Sequence, residues 1–273
     1  MNTLTSSRQY ASFYMNLMKI AIVVQFQYRV ANYFYMIGMI AEPVIYLVVW
    51  STIADAQGGS VGGYTAGTFA AYYIVWTLVR NMNIVFTPYG WEGRIQRGRL
   101  SGELLRPIHP IHNDIAYFAG WKFVVIIMWL PLAFILTLIF HPVVDITVTE
   151  IIVFFFAIWG AYLIRTMMLS LLGMITFWTT RVSAIYEFFF AIELLFSGRL
   201  VPMSLLPDWL QNIALFMPFQ YTFFYPINVL VGNASTEELL LGLLIQVFWI
   251  LIGAFFVYIV FKKGIKKFTS VGN

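Results

Sequence analysis

Long, uninterrupted runs of apolar residues dominate the pattern of this chain. A helix needs about 20 apolar residues to cross the roughly 30 Å of hydrocarbon in a bilayer. Six runs are candidates, the fifth of them the shortest, and they lie at residues 30–53, 64–86, 116–140, 151–178, 182–201 and 239–261. Apolar residues are continuous within each run rather than alternating, which favours helices over a β-barrel. The pattern predicts an all-α membrane protein with six transmembrane helices.

The segment before the first run has a different periodicity. Over residues 10–28, apolar side chains recur every three or four positions, with polar residues between them. This spacing indicates an amphipathic helix that lies in the inner headgroup layer. The alternative is a cytoplasmic extension of the first transmembrane helix.

Lysine and arginine set the orientation, because inner loops of membrane proteins are enriched in these residues. With the N-terminus inside, the outer loops fall at about residues 54–63, 141–150 and 202–238, and they contain no Lys or Arg. Arg199, near the outer end of the fifth run, is the exception. The sequence therefore predicts that both termini lie in the cytoplasm.

Composition agrees with a chain that faces lipid. Of its 273 residues, 61% are hydrophobic and 10% are charged, whereas soluble domains carry about 25% charged residues. There is no cysteine, which excludes disulfides, thiolate metal sites and a cysteine nucleophile. The glycine-rich loop that binds nucleotide phosphates is also absent from the sequence. If ATP drives this protein, another chain binds it.

A basic, glycine-punctuated loop separates the second and third runs. Its residues 98–108 would form a short helix with four apolar side chains on one face, Leu100, Leu104, Leu105 and Ile108. A small apolar face among arginines suits docking into a groove of a partner protein. A loop of this composition suits binding to anionic lipid headgroups equally well. The residues alone leave the two interpretations open.

The stretch after the fifth run is apolar but interrupted by prolines. Residues 206–210 are a favourable helix start, because Asp208 can cap exposed amides and Trp209 suits the interface. That helix would end near Pro218, too early to span a bilayer. The segment would therefore dip into the outer leaflet or lie on it, and the alternative is a plain surface loop.

Ionisable side chains inside the predicted spans are few. They are Glu42, Arg165, Glu187, Glu193 and Arg199. At about 1.5 Å per residue, Glu42, Arg165 and Glu193 lie near the middle of the membrane. Such charges are costly and usually pair or face water. One hypothesis is a polar patch on the substrate path; the commoner arrangement is a structural pair of Arg165 with Glu193 or Glu42.

The order of these features resembles the ABC-2-type permeases, the membrane subunits of type-2 ABC exporters. Residues 98–107 look like the inner loop of that family. Gly198 and Pro202, followed by residues 206–210 and 217–218, look like its pattern after the fifth span. The likeness covers essentially the whole chain. It is strongest to uncharacterised bacterial permeases whose inner loop reads Leu-Leu-Arg-Pro.

The resemblance implies a role for each segment. Residues 10–28 would be the connecting, or elbow, helix, and residues 98–108 the coupling helix seated in an ATPase. Residues 203–218 would form a re-entrant segment between the fifth and sixth helices that closes the path on the outside. The implied coupling residues are Gly98, Leu100, Leu104, Leu105, Arg106 and Pro107. The implied outer-gate residues are Gly198, Pro202, Leu206, Pro207, Trp209 and Pro218. This shifts the interpretation of the inner loop toward docking.

The resemblance further implies a permease without catalytic activity in the bacterial inner membrane. Its partners would be ABC ATPase subunits, which bind the ATP and Mg²⁺, and a second permease of the same or a related kind. No cofactor or nucleic acid is expected on this chain. The substrate would be amphiphilic or lipid-linked, such as a drug, a lipid, a peptide or a glycan.

Three other classes of protein fit less well. A metalloenzyme would use His109, His112 and Asp114, but His141 is predicted on the other side of the membrane and too few ligands converge. An ATP-independent secondary transporter often shows internal repeats, and none is visible. A channel would need a charged ring or a filter sequence, and neither is evident.

Overall fold

The computed structural model describes residues 7–85, 87–232 and 234–269. Eleven α-helices are found in these residues: α1 (Ser7–Gln27), α2 (Arg29–Ala56), α3 (Ala66–Met82), α4 (Thr87–Gln96), α5 (Leu100–Leu104), α6 (Ile111–Phe140), α7 (Val148–Met174), α8 (Ser183–Phe196), α9 (Asp208–Leu215), α10 (Phe224–Val231) and α11 (Thr236–Gly264). Short 3-10 helices lie at Ile175–Phe177, Met203–Leu205 and Phe219–Tyr221. Within the described residues, β pairing is limited to one isolated bridge between Val61 and Tyr64. The prediction of an all-α protein is confirmed.

Four helices of the described chain are long and apolar enough to cross a membrane: α2, α6, α7 with its extension to Phe177, and α11. The helices in the other two predicted spans are shorter, with 17 residues in α3 and 14 in α8. At 1.5 Å per residue they are roughly 26 Å and 21 Å long, less than the roughly 30 Å of hydrocarbon. Helix α8 ends early because Gly198 adopts a positive φ of 80°, a conformation incompatible with a continuing helix.

Helix starts are well defined at one end of the bundle. Helices α3, α7 and α11 each begin with a capping box, in which Thr65, Thr147 and Ser235 are the N-cap residues. Such boxes satisfy amides that the first turn leaves unpaired. The expectation that Asp208 caps its helix is wrong, because Asp208 lies inside the first turn of α9 and Pro207 occupies the cap position.

Helix α3 is the centre of the bundle. Thirteen of its 17 residues are buried, and α2, α6 and α10 pack around it. Its side chains Phe69, Tyr72, Tyr73 and Trp76 belong to the largest apolar core cluster. Because α3 packs tightly against these three helices, a displacement of α3 would disturb all three contacts.

Helix α1 is separated from α2 by a turn at Tyr28 and packs along α6. The two helices approach closely at Gly120, where a Cβ atom would lie 2.5 Å from the carbonyl oxygen of Met18. Near the N-terminal end of α1, the Tyr14 hydroxyl lies 2.7 Å from His112 Nδ1. The N-terminal segment is therefore a distinct helix fixed to α6.

Candidate functional site

A buried ion pair joins α7 to α8. Arg165 donates from Nε and Nη2 to the two carboxylate oxygens of Glu193, at 2.7 Å and 2.9 Å. Its third nitrogen, Nη1, donates to the carbonyl oxygen of Asn83 at 2.5 Å. Glu193 has no exposed surface. This planar, two-pronged geometry is the strongest arrangement available to an arginine and a carboxylate. It is one of the two pairings predicted for Arg165.

The ion pair is one end of a longer network. Arg199 lies 3.6 Å from Glu193 and, on its other side, 3.5 Å from Glu42. Glu42 also accepts a short hydrogen bond from Arg80. The network therefore contains Arg165, Glu193, Arg199, Glu42 and Arg80, and it ties together α2, α3, α7 and α8. Three guanidinium groups face two carboxylates, which leaves one positive charge in excess.

Two further charged side chains of the region have different surroundings. Arg80 lies in the last turn of α3 and reaches Glu42 on α2; no local spacing signal marks this contact, since 38 residues separate the two positions. Glu187 was grouped with the intramembrane charges, yet its side chain is exposed on α8 and forms no ion pair within the described part of the chain.

A cavity of about 140 Å³ lies beside the network, and we call it the arginine cavity. Its lining includes Arg80, Arg165, Arg199, Tyr35, Tyr186 and Phe190. Tyr35 is 43% exposed, so the cavity opens to the surface of the bundle at α2. The structure thus brings three arginines from distant parts of the sequence around one small space.

Lys122 is a further buried cation close to this space. Its Nζ donates to the carbonyl oxygen of Ile84 at 2.5 Å, and Ile84 lines the arginine cavity. Aromatic rings of Phe118, Trp121 and Tyr162 lie 5.4–5.8 Å from Nζ. No carboxylate of the described residues lies within ion-pair distance of it. Carbonyl oxygens and ring faces stabilise this ammonium group instead.

The inner loop is a compact platform formed by α4 and α5. Arg94 of α4 binds Glu103 of α5 at 3.2 Å and Asp114 of α6 at 2.6 Å, and its guanidinium stacks over the Trp91 ring at 4.4 Å. Burial alone would lower the pKa of Arg94, but the two carboxylates outweigh it and raise the pKa above its ordinary value. One charged side chain therefore fixes three helices to each other.

The predicted coupling residues divide between the core and the surface. Leu100 and Ile108 are buried, Leu104 packs partly against the same core, and Leu105 is 88% exposed. The expectation that these four share one face is wrong, because α5 ends at Leu104. Gly98, buried at φ 67°, precedes α5, and the partly exposed Pro107 follows the exposed Arg106. Leu105 and Arg106 are an exposed pair that directly follows α5.

The residues considered as metal ligands have other partners. The His109 ring packs on Phe261, with centroids 4.1 Å apart, His112 contacts Tyr14, and Asp114 pairs with Arg94. Across the described chain, no group of three or more His, Cys, Asp or Glu residues could hold a metal ion.

The predicted outer-gate residues lie on a segment that first runs along the surface and then returns into the bundle. Trp209 of α9 is 62% exposed, whereas Pro202 is buried and Leu206, Pro207 and Pro218 are partly or fully exposed. The segment is anchored where Tyr72 donates to the Gly198 carbonyl oxygen at 2.7 Å.

The return into the bundle occurs after Pro218. The Asn83 side-chain amide donates to the Thr222 carbonyl oxygen at 2.5 Å, and the Gln246 amide donates to those of Tyr221 and Ala157, each at 2.9 Å. Gln246 lies ten residues into α11, about 15 Å along the helix. Phe219–Tyr221 and its neighbours are therefore the part of the segment that hydrogen-bonds to the ends and middle of other helices.

Comparison with known proteins gives one family. The family described as ABC-2 family transporter protein matches residues 40–272, which leaves α1 outside the matched range. No curated protein matches the chain. Members of this family are the membrane component and not the ATPase. A match over most of the chain, together with the four long apolar helices, shows that this multi-pass membrane protein belongs to the ABC-2 family of transporters.

Proposed function

We propose that this chain is one permease subunit of an ATP-driven exporter in a bacterial inner membrane. It works with ABC ATPase subunits below it and a second permease, identical or related, beside it. Its substrate is amphiphilic or lipid-linked and moves outward. Helices α3 and α8 complete six crossings, with both termini inside, and residues 197–201 carry the path of α8 to the outer side.

The observation that carries the proposal is the exposed Leu105 on a rigid inner platform. Leu105 is 88% exposed, and the exposed Arg106 follows it. A leucine this exposed contributes little to the stability of the subunit itself, and its side chain is free to enter a pocket on a partner protein. The neighbouring arginine suits a charged rim around that pocket. Leu105 is therefore the contact we assign to the ATPase.

The contacts of the platform would transmit a movement of Leu105 to the membrane helices. Trp91 of α4 is fully buried, and a Cβ at Gly173 of α7 would lie 2.6 Å from the Trp91 side chain and 3.0 Å from the Pro88 backbone. On the other side, Arg94 ties α4 to α6. A packed and ion-paired unit moves as a rigid body. Movement of the ATPases would then reach α6 and α7 together.

The outer segment supports a role as the outward closure. Besides the long ion pairs of Arg199, at 3.5 Å and 3.6 Å, its anchors are hydrogen bonds from neutral side chains to backbone carbonyl oxygens. Examples are Tyr72 to Gly198 and Tyr73 to Leu200, the latter at 3.1 Å. Neutral hydrogen bonds of this kind contribute about 0.5–1.5 kcal/mol each. That strength suits a segment that must open and close. We propose that residues 197–231 together form the re-entrant lid.

The test is substitution of Leu105 by aspartate. We expect Leu105→Asp to reduce the ATPase activity that co-purifies with the tagged chain from native membranes by at least about tenfold, because a buried anchor in a pocket contributes about 2 kcal/mol or more. The measurement is ATP hydrolysis in the eluate, normalised to the amount of permease.

Val148→Asp is the matched control for this test. Val148 is an apolar residue, 73% exposed, at the opposite end of the bundle, and its position at the start of α7 tolerates a carboxylate. We expect normal ATPase recovery with this variant. Equal recovery with Leu105→Asp would refute the docking role, and substrate transport by the purified chain without an ATPase would favour a secondary transporter.

A further inference from the structure

We propose that the arginine cavity binds the phosphate group of the transported amphiphile. This inference rests on the proposed function, since it assigns a substrate class to that exporter. It is based on the unpaired donor of Arg199, the excess positive charge of the network and the size of the cavity.

Arg199 supplies the free donor. Its residue surface is 2% exposed, yet its Nε has no hydrogen-bond partner within the described residues. The two carboxylates near it lie at 3.5 Å and 3.6 Å, beyond good hydrogen-bond distance. A buried donor without an acceptor is costly. An anion in the cavity would supply the missing acceptor, and guanidinium groups match phosphate oxygens in geometry.

The charge of the surroundings points to an anion as well. Arg80, Arg165 and Arg199 outnumber Glu42 and Glu193 by one charge, and Lys122 lies on the far side of the cavity wall without a carboxylate. An excess positive charge within the bundle is unfavourable unless something balances it. The phosphate group of an amphiphile, as a monoester or a diester, supplies the balancing negative charge, whereas a neutral headgroup does not.

The size of the cavity limits what enters. The cavity volume of about 140 Å³ is enough for a phosphate group of five heavy atoms. It is smaller than the about 300–1,000 Å³ of pockets that enclose a whole drug-sized ligand. The apolar remainder of the molecule would leave past Tyr35, where the cavity opens at α2. The Tyr186 hydroxyl at the lining is a further possible donor.

Dodecyl phosphate is the probe for this site, and dodecyl maltoside is the neutral molecule with the same tail. We expect native mass spectrometry of the purified full-length chain to show one dodecyl phosphate bound at least tenfold more tightly than dodecyl maltoside. Inorganic phosphate is the second arm: displacement at equal concentration would identify a free anion as the source, and weak displacement would identify a lipid-borne phosphate.

Three variants test the arginine cavity itself. Arg199→Gln should weaken dodecyl phosphate binding about tenfold, while Arg181→Gln, at an exposed arginine of the inner side, should leave it unchanged. Glu42→Gln should strengthen binding several-fold, because it removes a competing negative charge. Phe190→Trp fills the cavity without altering its charge and should abolish binding, which keeps the test decisive if Arg199→Gln does not fold.

Unchanged binding in Arg199→Gln and Phe190→Trp, or weaker binding in Glu42→Gln, would overturn the assignment. The measurement uses the isolated permease and needs no ATPase. Failure of the exporter proposal in the Leu105 experiment and failure of the phosphate site are therefore seen separately.

Discussion

Arg94 in the inner platform, with a side chain 13% exposed, and Arg199 inside the bundle, with a side chain 3% exposed, each have two acidic neighbours, but only Arg94 makes hydrogen bonds to them. The carboxylates of Arg94 lie at 2.6 Å and 3.2 Å, whereas those of Arg199 lie at 3.6 Å and 3.5 Å. The cluster around Arg94 has one arginine for two carboxylates. The network around Arg199 has three arginines for two carboxylates.

This difference indicates that the Arg94 cluster is structural, whereas the Arg199 network has a hydrogen-bond donor available to a ligand. Arg94 lies within hydrogen-bond distance of both of its carboxylates. The charged groups of the inner platform are therefore paired without a ligand. In the membrane network, Arg165 is saturated by Glu193 and Asn83, while Arg199 retains a free donor. We therefore assign the structural pairing in the network to Arg165 and the substrate contact to Arg199.

The largest predicted effect comes from removing the saturated arginine. Arg165→Leu leaves Glu193, which has no exposed surface, without its main partner, and we expect a loss of about 3–5 kcal/mol of stability. In a chain of this size the thermal midpoint should fall by roughly 10 °C, as measured by differential scanning fluorimetry in detergent. The double variant with Glu193→Leu should recover most of the loss; a double variant as unstable as the single one would contradict this.

A smaller loss of stability is expected when Arg94 of the inner platform is replaced. Arg94→Met removes two charge-assisted hydrogen bonds at a more exposed site, and we expect a loss of about 2 kcal/mol. The platform should loosen, so trypsin should cleave after Arg99 faster in inside-out vesicles than it does in the parent protein. Arg97→Met, at an exposed arginine of the same loop, is the control. Cleavage at the parent rate in Arg94→Met would show that packing of Trp91 alone holds the loop.

The smallest predicted effect is a pH dependence of stability caused by His109 in the inner loop. Burial, with a further contribution from His112, lowers the pKa of His109 from 6.5 to about 4. Below about pH 6.5 the unfolded chain binds a proton that the folded chain rejects, so acidification destabilises the fold. Between about pH 7 and pH 5.5 we expect a loss of about 1 kcal/mol. His109→Phe should show a smaller fall in thermal midpoint; an equal fall would place the effect elsewhere.

Local sequence pattern was a good guide to elements and a poor guide to contacts. The apolar runs located the helices, and loop composition drew attention to residues 98–108. The apolar run at 182–201 predicted a longer helix than α8, because hydropathy does not detect the turn at Gly198. The inner loop was misjudged because a face shared by four leucine and isoleucine positions requires a helix longer than α5.

The sequence by itself determined the helical character of the chain, the positions of its apolar runs and its family. These follow from hydropathy and from motifs that are local or ordered along the chain. Only the tertiary structure decided that Leu105 is 88% exposed while Leu100 and Ile108 are buried, and that Arg80, Arg165 and Arg199 surround one cavity. The reason is physical: exposure and charge balance depend on which helices pack together, and residues up to 119 positions apart meet only through that packing.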